Sequence, residues 1–169
     1  MAITVFLADD HAVVRDGLHA LLDAERDIEV VGTAANGRDA VRQVSELCPD
    51  VAVVDIVMPD LGGIEATRQM QAASSSTQVV ILSMHDSDEY VLRALRAGAR
   101  GYLLKESAGE EVIDAVRAVH AGRRYLSEGI ADRLIDGYLD VYGESKAVGA
   151  LDTLSPRELE VLQLVVEGK

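Results

Sequence analysis

The sequence predicts a doubly wound α/β domain, and three observations lead to this fold class. Five short apolar runs alternate with segments of helical composition through the first 121 residues. Each run is nearly continuous in apolar residues, which is typical of parallel strands covered on both faces. The strict alternation of strand and helix favours one parallel sheet with helices on both sides. Right-handed crossovers then leave only a few topologies.

The five predicted strands are short and contain almost no charged residues before their last position. They cover Ile3 to Ala8, Ile28 to Ala34, Val51 to Asp55, Val79 to Ser83, and Gly101 to Leu104.

Helices are predicted in the intervals between these strands. Three intervals have an apolar stripe at helical spacing. The stripes consist of Val14, Leu18, Leu21 and Leu22; Ala40, Val44 and Leu47; and Val112, Val116 and Val119. Gly63 to Ala72 and Asp88 to Ala97 are helical in composition. Cys48 continues the second stripe four residues after Val44, so we expect a buried small hydrophobe there.

The alternation stops after Ala121. Gly122 to Ser127 is typical of a turn, and Ser127 is a candidate cap for one further helix. That helix has an apolar side formed by Ile130, Leu134, Ile135 and Tyr138 or Leu139. Residues 143–152 have linker composition.

The C-terminal segment predicts the start of a second domain. Ser155 and Glu158 form a capping box, and Pro156 suits the first helical position. The short helix that they begin would be only marginally stable in isolation. We therefore expect residues 1–121 to form the α/β domain, 122–152 a linker with one helix, and 153–169 the first helix of a truncated all-α domain.

Composition excludes several classes of protein. One cysteine excludes an internal disulfide framework and fits a reducing, cytoplasmic compartment. The net charge of −13 disfavours tight nucleic-acid binding by this chain. The apolar runs are too short to span a membrane, and the first four residues lack the basic region of a signal peptide. A membrane partner is not expected.

Polar residues end or directly follow four of the predicted strands. They are Asp9 and Asp10, Asp55, Ser83, and Lys105. Ligands of open α/β sheets bind outside the carboxyl ends of the strands, so we expect these side chains to converge on one edge.

Three converging carboxylates repel each other unless one takes up a proton or a cation binds. Oxygen ligands favour a hard ion, and Mg²⁺ is satisfied by a few carboxylates and water. Lys105 supplies a point charge for a phosphate, and Ser83 supplies a hydroxyl donor. This combination predicts phosphoryl transfer onto a carboxylate, with Asp55 as the nucleophile because it stands alone at the end of a central strand. The four histidines are scattered without ligand spacing, so we predict no metal role for them.

Four segments resemble the receiver domain of two-component response regulators. They are residues 6–11 (FLADDH), 53–59 (VVDIVMP), 81–83 (ILS) and 98–105 (GARGYLLK). The resemblance covers about residues 1–121, and Asp9-Asp10-His11 followed by Arg15 is similar to the NarL/FixJ type. Residues 154–162 (LSPRELEVL) resemble the opening of a LuxR-type helix-turn-helix domain.

The resemblance implies a flavodoxin-like sheet of order 2-1-3-4-5 and a role for each matching position. Asp55 would be the phospho-acceptor, and Asp9, Asp10, Asp55 and the backbone carbonyl of Val57 would bind Mg²⁺. Ser83 and Tyr102 would form the switch, and Lys105 would pair with the phosphate. Glu106 stands where many receivers have proline, so a cis peptide bond is not expected there.

The resemblance also implies partners. A sensor histidine kinase would supply the phosphoryl group, and phosphorylation would favour a homodimer. The full-length protein would bind DNA through its C-terminal domain. This chain is expected not to bind DNA specifically, because the recognition helix is not in it.

Three alternatives stay open. A Mg²⁺-dependent phosphohydrolase usually has a second acid two residues after its nucleophile, where this chain has Val57. A flavin-binding module needs a phosphate loop in place of Asp9-Asp10-His11. A receiver used only for docking would not need the full set of acidic residues and lysine.

Overall fold

The computed structural model describes residues 2–85 and 87–142, with side chains of the last helix described as far as residue 136. The strands are β1 (Ile3–Ala8), β2 (Ile28–Ala34), β3 (Val51–Asp55), β4 (Gln78–Ser83), β5 (Gly101–Leu104) and β6 (Tyr125–Leu126). The helices are α1 (Ala12–Asp23), α2 (Gly37–Leu47), α3 (Gly63–Ala73), α4 (Asp88–Ala97), α5 (Ala108–His120) and α6 (Glu128–Tyr142), with a 3₁₀ turn over Lys105–Ser107. The predicted linker at 143–152 and the predicted helix with its Ser155 and Glu158 capping box lie outside the described residues.

The sheet is parallel throughout, with strand order β2-β1-β3-β4-β5-β6. The predicted order of the first five strands is confirmed, but the predicted number of strands is wrong. Tyr125 and Leu126 pair with Gly101 and Tyr102 as a sixth strand. Two residues are too few to show strand periodicity, which explains why the sequence indicated only a turn.

Each face of the sheet packs into its own core. On one face, Phe6, Val54, Ile81 and Tyr102 pack with residues of α2, α3, α4 and α6. On the other face, residues of β1, β3, β4 and β5 pack with α1 and α5. Burial on both faces accounts for the continuous apolar runs in the sequence.

Helix α6 belongs to the first of these cores. Ile130 is fully buried and Leu134 is 6% exposed, and both join the cluster that contains Val91 and Leu95 of α4. The segment predicted as a linker helix therefore buries its apolar side against the domain.

Cys48 is exposed, so the predicted burial of this residue is wrong. The residue is the C-cap of α2 and has left-handed backbone angles, with φ 46° and ψ 56°. The helical stripe ends before Cys48, and the change of backbone direction turns its side chain away from the core.

Candidate functional site

The carboxyl ends of the central strands bring the predicted polar residues to one edge. Asp55 ends β3, Ser83 ends β4, and Asp9 follows β1 directly. Lys105 follows β5 and begins the 3₁₀ turn. Parallel pairing of these strands fixes the edge on which their ends lie, so the side chains converge as the sequence predicted.

Lys105 connects the two buried carboxylates of the site. Its Nζ lies 2.8 Å from Asp55 Oδ2 and 3.3 Å from Asp9 Oδ2. Asp9 and Asp55 are only 1% and 2% exposed. The Val57 amide donates a hydrogen bond of 3.3 Å to the other oxygen of Asp55. The ammonium and the amide together orient the Asp55 carboxylate.

The environment shifts the pKa of both members of the central ion pair. Burial raises the pKa of Asp55, and the nearby Asp9 charge adds to this effect, while the hydrogen bond from Lys105 opposes it. Burial of Lys105 works to lower its pKa, but the hydrogen bond to Asp55 and the charges of Asp55 and Asp9 outweigh it, so the pKa is raised. Lys105 is therefore a stable cation beside a carboxylate whose negative charge is costly.

The donor set fits a divalent cation. Asp9, Asp10 and Asp55, together with His11, offer ligand atoms that all lie within 4.8 Å of one another. Asp9 Oδ2 is buried and accepts no hydrogen bond. Three carboxylates facing one ammonium leave excess negative charge, which a hard cation such as Mg²⁺ would neutralise.

The loop after Asp55 is fixed by a close approach of α3. The Gly63 amide donates a 2.8 Å hydrogen bond to the Ile56 carbonyl. A Cβ atom at Gly63 would lie 2.1 Å from the Asp55 carbonyl oxygen, so only glycine fits. Val57 lies on this loop with 59% of its surface exposed. Its predicted role as a carbonyl ligand stays a prediction.

Ser83 and Tyr102 are linked through His85. Ser83 is fully buried, and its Oγ accepts a 2.8 Å hydrogen bond from the His85 amide. Tyr102 is also fully buried, and its hydroxyl donates a 2.7 Å hydrogen bond to the His85 carbonyl. The His85 ring stacks on Tyr90 with centroids 4.7 Å apart. The predicted switch residues thus both bond the backbone of His85, a loop residue for which the sequence predicted no role.

His11 is the second such residue near the site, and the sequence predicted no metal role for it. Its Nδ1 lies 3.2 Å from Lys105 Nζ and 3.2 Å from Asp10 Oδ1. That prediction rested on the spacing between histidines, whereas the fold brings one histidine beside carboxylates. The immediate succession Asp9-Asp10-His11 is the signal that could have found it.

A cavity of about 470 Å³ opens beside these groups. Its lining comes from the carboxyl ends of β4 and β5, the segments that follow β1, β4 and β5, and the first turn of α1. It consists of His11, Val14, Ser83, Met84, Leu104, Lys105 and Glu106. Glu106 lies in the 3₁₀ turn, and the peptide bonds of the described residues are all trans. The cavity gives solvent and small molecules a route to the Lys105 ammonium.

The parallel sheet and its acidic edge, formed by Asp9, Asp10, Asp55 and Lys105, belong to a signalling domain, as the family match shows. The family described as the response regulator receiver domain matches residues 5–117. The chain belongs to this family, as the sequence motifs indicated.

Full-length relatives show which branch of the family the chain resembles. It is 41% identical over 167 residues to the transcriptional regulatory protein LiaR of Bacillus subtilis, covering 99% of this chain and 78% of LiaR. It is 38% identical over 168 residues to the oxygen regulatory protein NreC of Staphylococcus epidermidis, covering 97% of this chain and 77% of NreC.

Solved structures agree with this placement. A LuxR-family two-component response regulator from Aurantimonas sp. SI85-9A1 superposes with a TM-score of 0.78 at 35% identity, covering 82% of this chain and 99% of that one. The signal receiver domain of NarL from Mycobacterium tuberculosis gives a TM-score of 0.70 at 34% identity, covering 72% of this chain and 98% of that one. The chain is a LuxR/NarL-type response regulator receiver of a two-component system.

Among the residues that the structure describes, no helix is both long enough and apolar enough to cross a bilayer.

Proposed function

We propose that this chain accepts a phosphoryl group on Asp55 from a sensor histidine kinase in a Mg²⁺-dependent reaction. The observation that carries the proposal is the position of Asp55, which is 2% exposed at the end of β3 with the Lys105 ammonium 2.8 Å from its Oδ2. A buried carboxylate with a fixed cation beside it is pre-organised to bind a transferring phosphoryl group.

The reaction is a displacement at phosphorus. An Asp55 carboxylate oxygen attacks the phosphorus of the donor, and a new oxygen–phosphorus bond forms. The bond from phosphorus to the donor's imidazole nitrogen, or to the acyl oxygen of acetyl phosphate, breaks, and its electron pair leaves with the donor. Asp55 becomes an acyl phosphate, and Lys105 neutralises charge on the transferred oxygens.

The metal ion would be held by Asp9, Asp10, Asp55 and the backbone carbonyl of Val57. When bound, it would stabilise negative charge that develops on the transferring group. The burial of Asp9 and Asp55 supports this assignment, because the Lys105 ammonium alone does not balance the charge of three neighbouring carboxylates.

Ser83 and Tyr102 would transmit the change. A phosphoryl group adds roughly −1.5 to −2 charge and new acceptor oxygens. A turn of the Ser83 hydroxyl toward those oxygens would break its hydrogen bond from the His85 amide. Because the Tyr102 hydroxyl bonds the carbonyl of the same residue, the loop after Ser83 and the Tyr102 ring would move together. A typical coupling of this kind is about 1–3 kcal/mol.

The biological role follows from this switch. The phosphorylated chain would dimerise, and the full-length protein would control transcription by binding DNA in the cytoplasm. Residues 1–121 would be the receiver, 122–152 a linker and 153–169 the start of the LuxR-type output domain. The curated relatives described above include a transcriptional regulatory protein and an oxygen regulatory protein.

Intact mass spectrometry after incubation with acetyl phosphate tests the proposal. We expect a gain of one phosphoryl group that needs Mg²⁺ and is absent in Asp55→Asn. Asp60→Asn is the matched control, because Asp60 is an exposed carboxylate on the same loop. Phosphorylation that persists in Asp55→Asn would refute the assignment. Failure of the wild-type chain to gain mass and to bind beryllofluoride would refute the function.

A further inference from the structure

We propose that His11 is a nitrogen ligand of the divalent-cation site and makes this site prefer first-row transition ions, such as Co²⁺ and Mn²⁺, over Mg²⁺. The inference deepens the proposed function, since it takes the acidic edge to be a cation site. It concerns which ion the site selects and which residue selects it.

The position of the His11 ring is suitable for binding one ion together with Asp9 and Asp10. Nδ1 lies 3.3 Å from Asp9 Oδ1 and 3.2 Å from Asp10 Oδ1. Two neighbouring ligands on an octahedral ion with bonds of ~2.1 Å stand about 3.0 Å apart, and two opposite ligands about 4.2 Å. The spacings of His11 from both carboxylates lie in this range. Asp55 lies within 4.8 Å of these atoms, so its carboxylate needs only a small shift to reach the same ion.

Ligation of a cation by His11 requires a lone pair on Nδ1. Lys105 Nζ lies 3.2 Å from Nδ1, and an ammonium can only donate. A ring proton on Nδ1 would donate to the carboxylates, whereas a ring proton on Nε2 leaves Nδ1 to accept from Lys105. The Nε2 tautomer is the one that can bind a cation through Nδ1. With that tautomer, Asp9 Oδ1 and Asp10 Oδ1 are acceptors as well, so three lone-pair atoms face one another. This arrangement is favourable only around positive charge.

The loop places the ring in position without closing it off. The His11 backbone amide donates a 2.8 Å hydrogen bond to Asp9 Oδ1, which fixes the start of α1 beside the carboxylates. The side chain is 60% exposed, so the ring can complete a coordination shell without unpacking the core. Asp9 Oδ2 is buried without a hydrogen bond and has the Lys105 ammonium 3.3 Å away, so this oxygen keeps a lone pair that a metal cation can use.

The chemistry of the donor set decides selectivity. Mg²⁺ binds oxygen ligands and keeps several waters, so an imidazole adds little to its affinity. Imidazole nitrogen binds first-row transition ions more strongly, and affinity rises along the series from Mn²⁺ to Co²⁺. A site of three carboxylates and one available imidazole nitrogen should therefore prefer Co²⁺ and Mn²⁺ over Mg²⁺. A site of three carboxylates and water should show a weaker preference.

Calorimetric titration with Co²⁺ and with Mg²⁺, without any phosphodonor, tests the inference. We compare the wild-type chain with His11→Ala and with His11→Gln, which keeps a polar side chain but replaces nitrogen by an amide. We expect both variants to lose about tenfold or more in Co²⁺ affinity, as removal of a ligand or its partner does, and to keep Mg²⁺ affinity within about twofold. His19→Ala is the control, because His19 pairs with Asp23 farther along α1.

A spectroscopic readout separates ligation from a structural effect. Electron spin echo modulation of bound Mn²⁺ should show directly coordinated nitrogen in the wild type and none in His11→Gln. Unchanged Co²⁺ affinity in the variants, an equal loss for Co²⁺ and Mg²⁺, or no nitrogen coupling in the wild type would each overturn the inference.

The phosphorylation assay distinguishes this inference from the proposed function. If Mg²⁺ supports phosphorylation of Asp55 while the His11 variants keep their Co²⁺ affinity, the function stands and the ligand assignment fails. If Co²⁺ affinity depends on His11 but Asp55 never gains a phosphoryl group, the ligand assignment stands and the function fails.

Discussion

Lys105 governs the electrostatics of the acidic edge at the level of single residues. Its side chain is 12% exposed and lies against carboxylates that are 2% and 3% exposed. Removing one partner of a buried ion pair leaves uncompensated charge in a poorly solvated place, and the cost is several kcal/mol. Lys105 therefore contributes to folding as well as to the proposed chemistry.

Lys105→Ala should lower the free energy of unfolding by about 3 kcal/mol in a chelating buffer. Saturating Mg²⁺ should recover part of this loss, because a divalent cation replaces the missing positive charge and binds only the folded site. Urea unfolding with and without Mg²⁺ measures both effects. Arg42→Ala is the control, since its pairs with Asp39 and Glu46 are exposed and should contribute under about 1 kcal/mol. Equal stability of Lys105→Ala and wild type in chelator would contradict the prediction.

The sequence allowed the convergence of some site residues to be predicted, but not of others. Asp9, Asp55 and Lys105 lie directly at strand ends, and parallel topology alone dictates where strand ends meet. The contacts of His11 and His85 depend on loop conformation and ring orientation, which no periodicity encodes. The structure therefore adds the histidines and the shared hydrogen bonds of His85 to a site whose carboxylates and lysine were already indicated.

At the scale of elements, the approach of α3 to the end of β3 sets the position of Asp55. Gly63 begins α3 against the Asp55 and Ile56 backbone, which cannot move aside as a flexible side chain can. The sequence indicated that Gly63 begins a segment of helical composition. It could not show that the glycine is needed for a close approach between two elements.

Gly63→Ala should destabilise the chain and slow phosphorylation of Asp55, because the added methyl group must displace α3 or the β3 carboxyl end. We expect a loss of about 2 kcal/mol in unfolding free energy, within the range for overpacking. Gly17→Ala is the matched control. It lies inside α1 with nothing within 4 Å of its added Cβ, so it should stabilise the chain by roughly 0.5–1 kcal/mol. Urea unfolding and the mass assay provide the two readouts, and a stabilised, fully active Gly63→Ala would be incompatible with this packing.

Short hydrogen bonds attach β6 and the start of α6 to the rest of the domain. Glu111 of α5 accepts from the Tyr125 hydroxyl at 3.0 Å and from Ser127 Oγ at 2.9 Å. Ser127 Oγ also accepts from the Leu104 amide, 3.2 Å away. Ser127 directly precedes α6, as the sequence indicated, but its hydroxyl bonds other elements instead of capping the helix. Such pairings between segments distant in sequence have no local pattern, which is why β6 was not predicted.

Tyr125 gives this attachment a pH dependence. Burial, the Glu111 hydrogen bond and the nearby acidic charges raise the pKa of Tyr125 to about 12, from an ordinary value of 10.0. The folded state therefore holds the phenol proton more tightly than the unfolded state. Its contribution to stability is fully present below pH 10 and is lost as pH rises through 12.

Tyr125→Phe should remove this contribution to the pH dependence. The unfolding free energy of the wild type should fall more steeply between pH 10 and pH 12 than that of the variant. Urea unfolding at a series of pH values in that window makes the comparison, and the other tyrosines titrate equally in both chains. Parallel pH profiles for the two chains would rule out a titrating role for Tyr125.

At the scale of the whole molecule, the residues that stabilise the fold and the residues of the proposed chemistry lie in different regions. The two cores lie on the two faces of the sheet, while the acidic edge lies at the carboxyl ends of its strands. The sequence predicted this division, because the apolar runs and the polar residues that follow them are separate signals. It did not predict how far along the chain the first core extends, since an amphipathic helix alone does not say what covers its apolar side.

The stability of shortened chains tests whether the first core extends into α6. The sequence places the end of the receiver at residue 121, yet Ile130 and Leu134 of α6 are buried against α4. Burying each of these side chains contributes roughly 1.5–3 kcal/mol.

A chain ending at residue 121 should therefore have a free energy of unfolding several kcal/mol below that of a chain ending at residue 142. Ile130→Ala in the longer chain should lower the free energy of unfolding by about 2–4 kcal/mol. Urea unfolding of the three chains decides the matter. If the shorter chain were equally stable, the receiver would end at residue 121 and α6 would dock without contributing to folding. A loss in both the shorter chain and Ile130→Ala would instead make α6 a structural part of the receiver, through which any movement of α4 on phosphorylation would pass to the segment that follows.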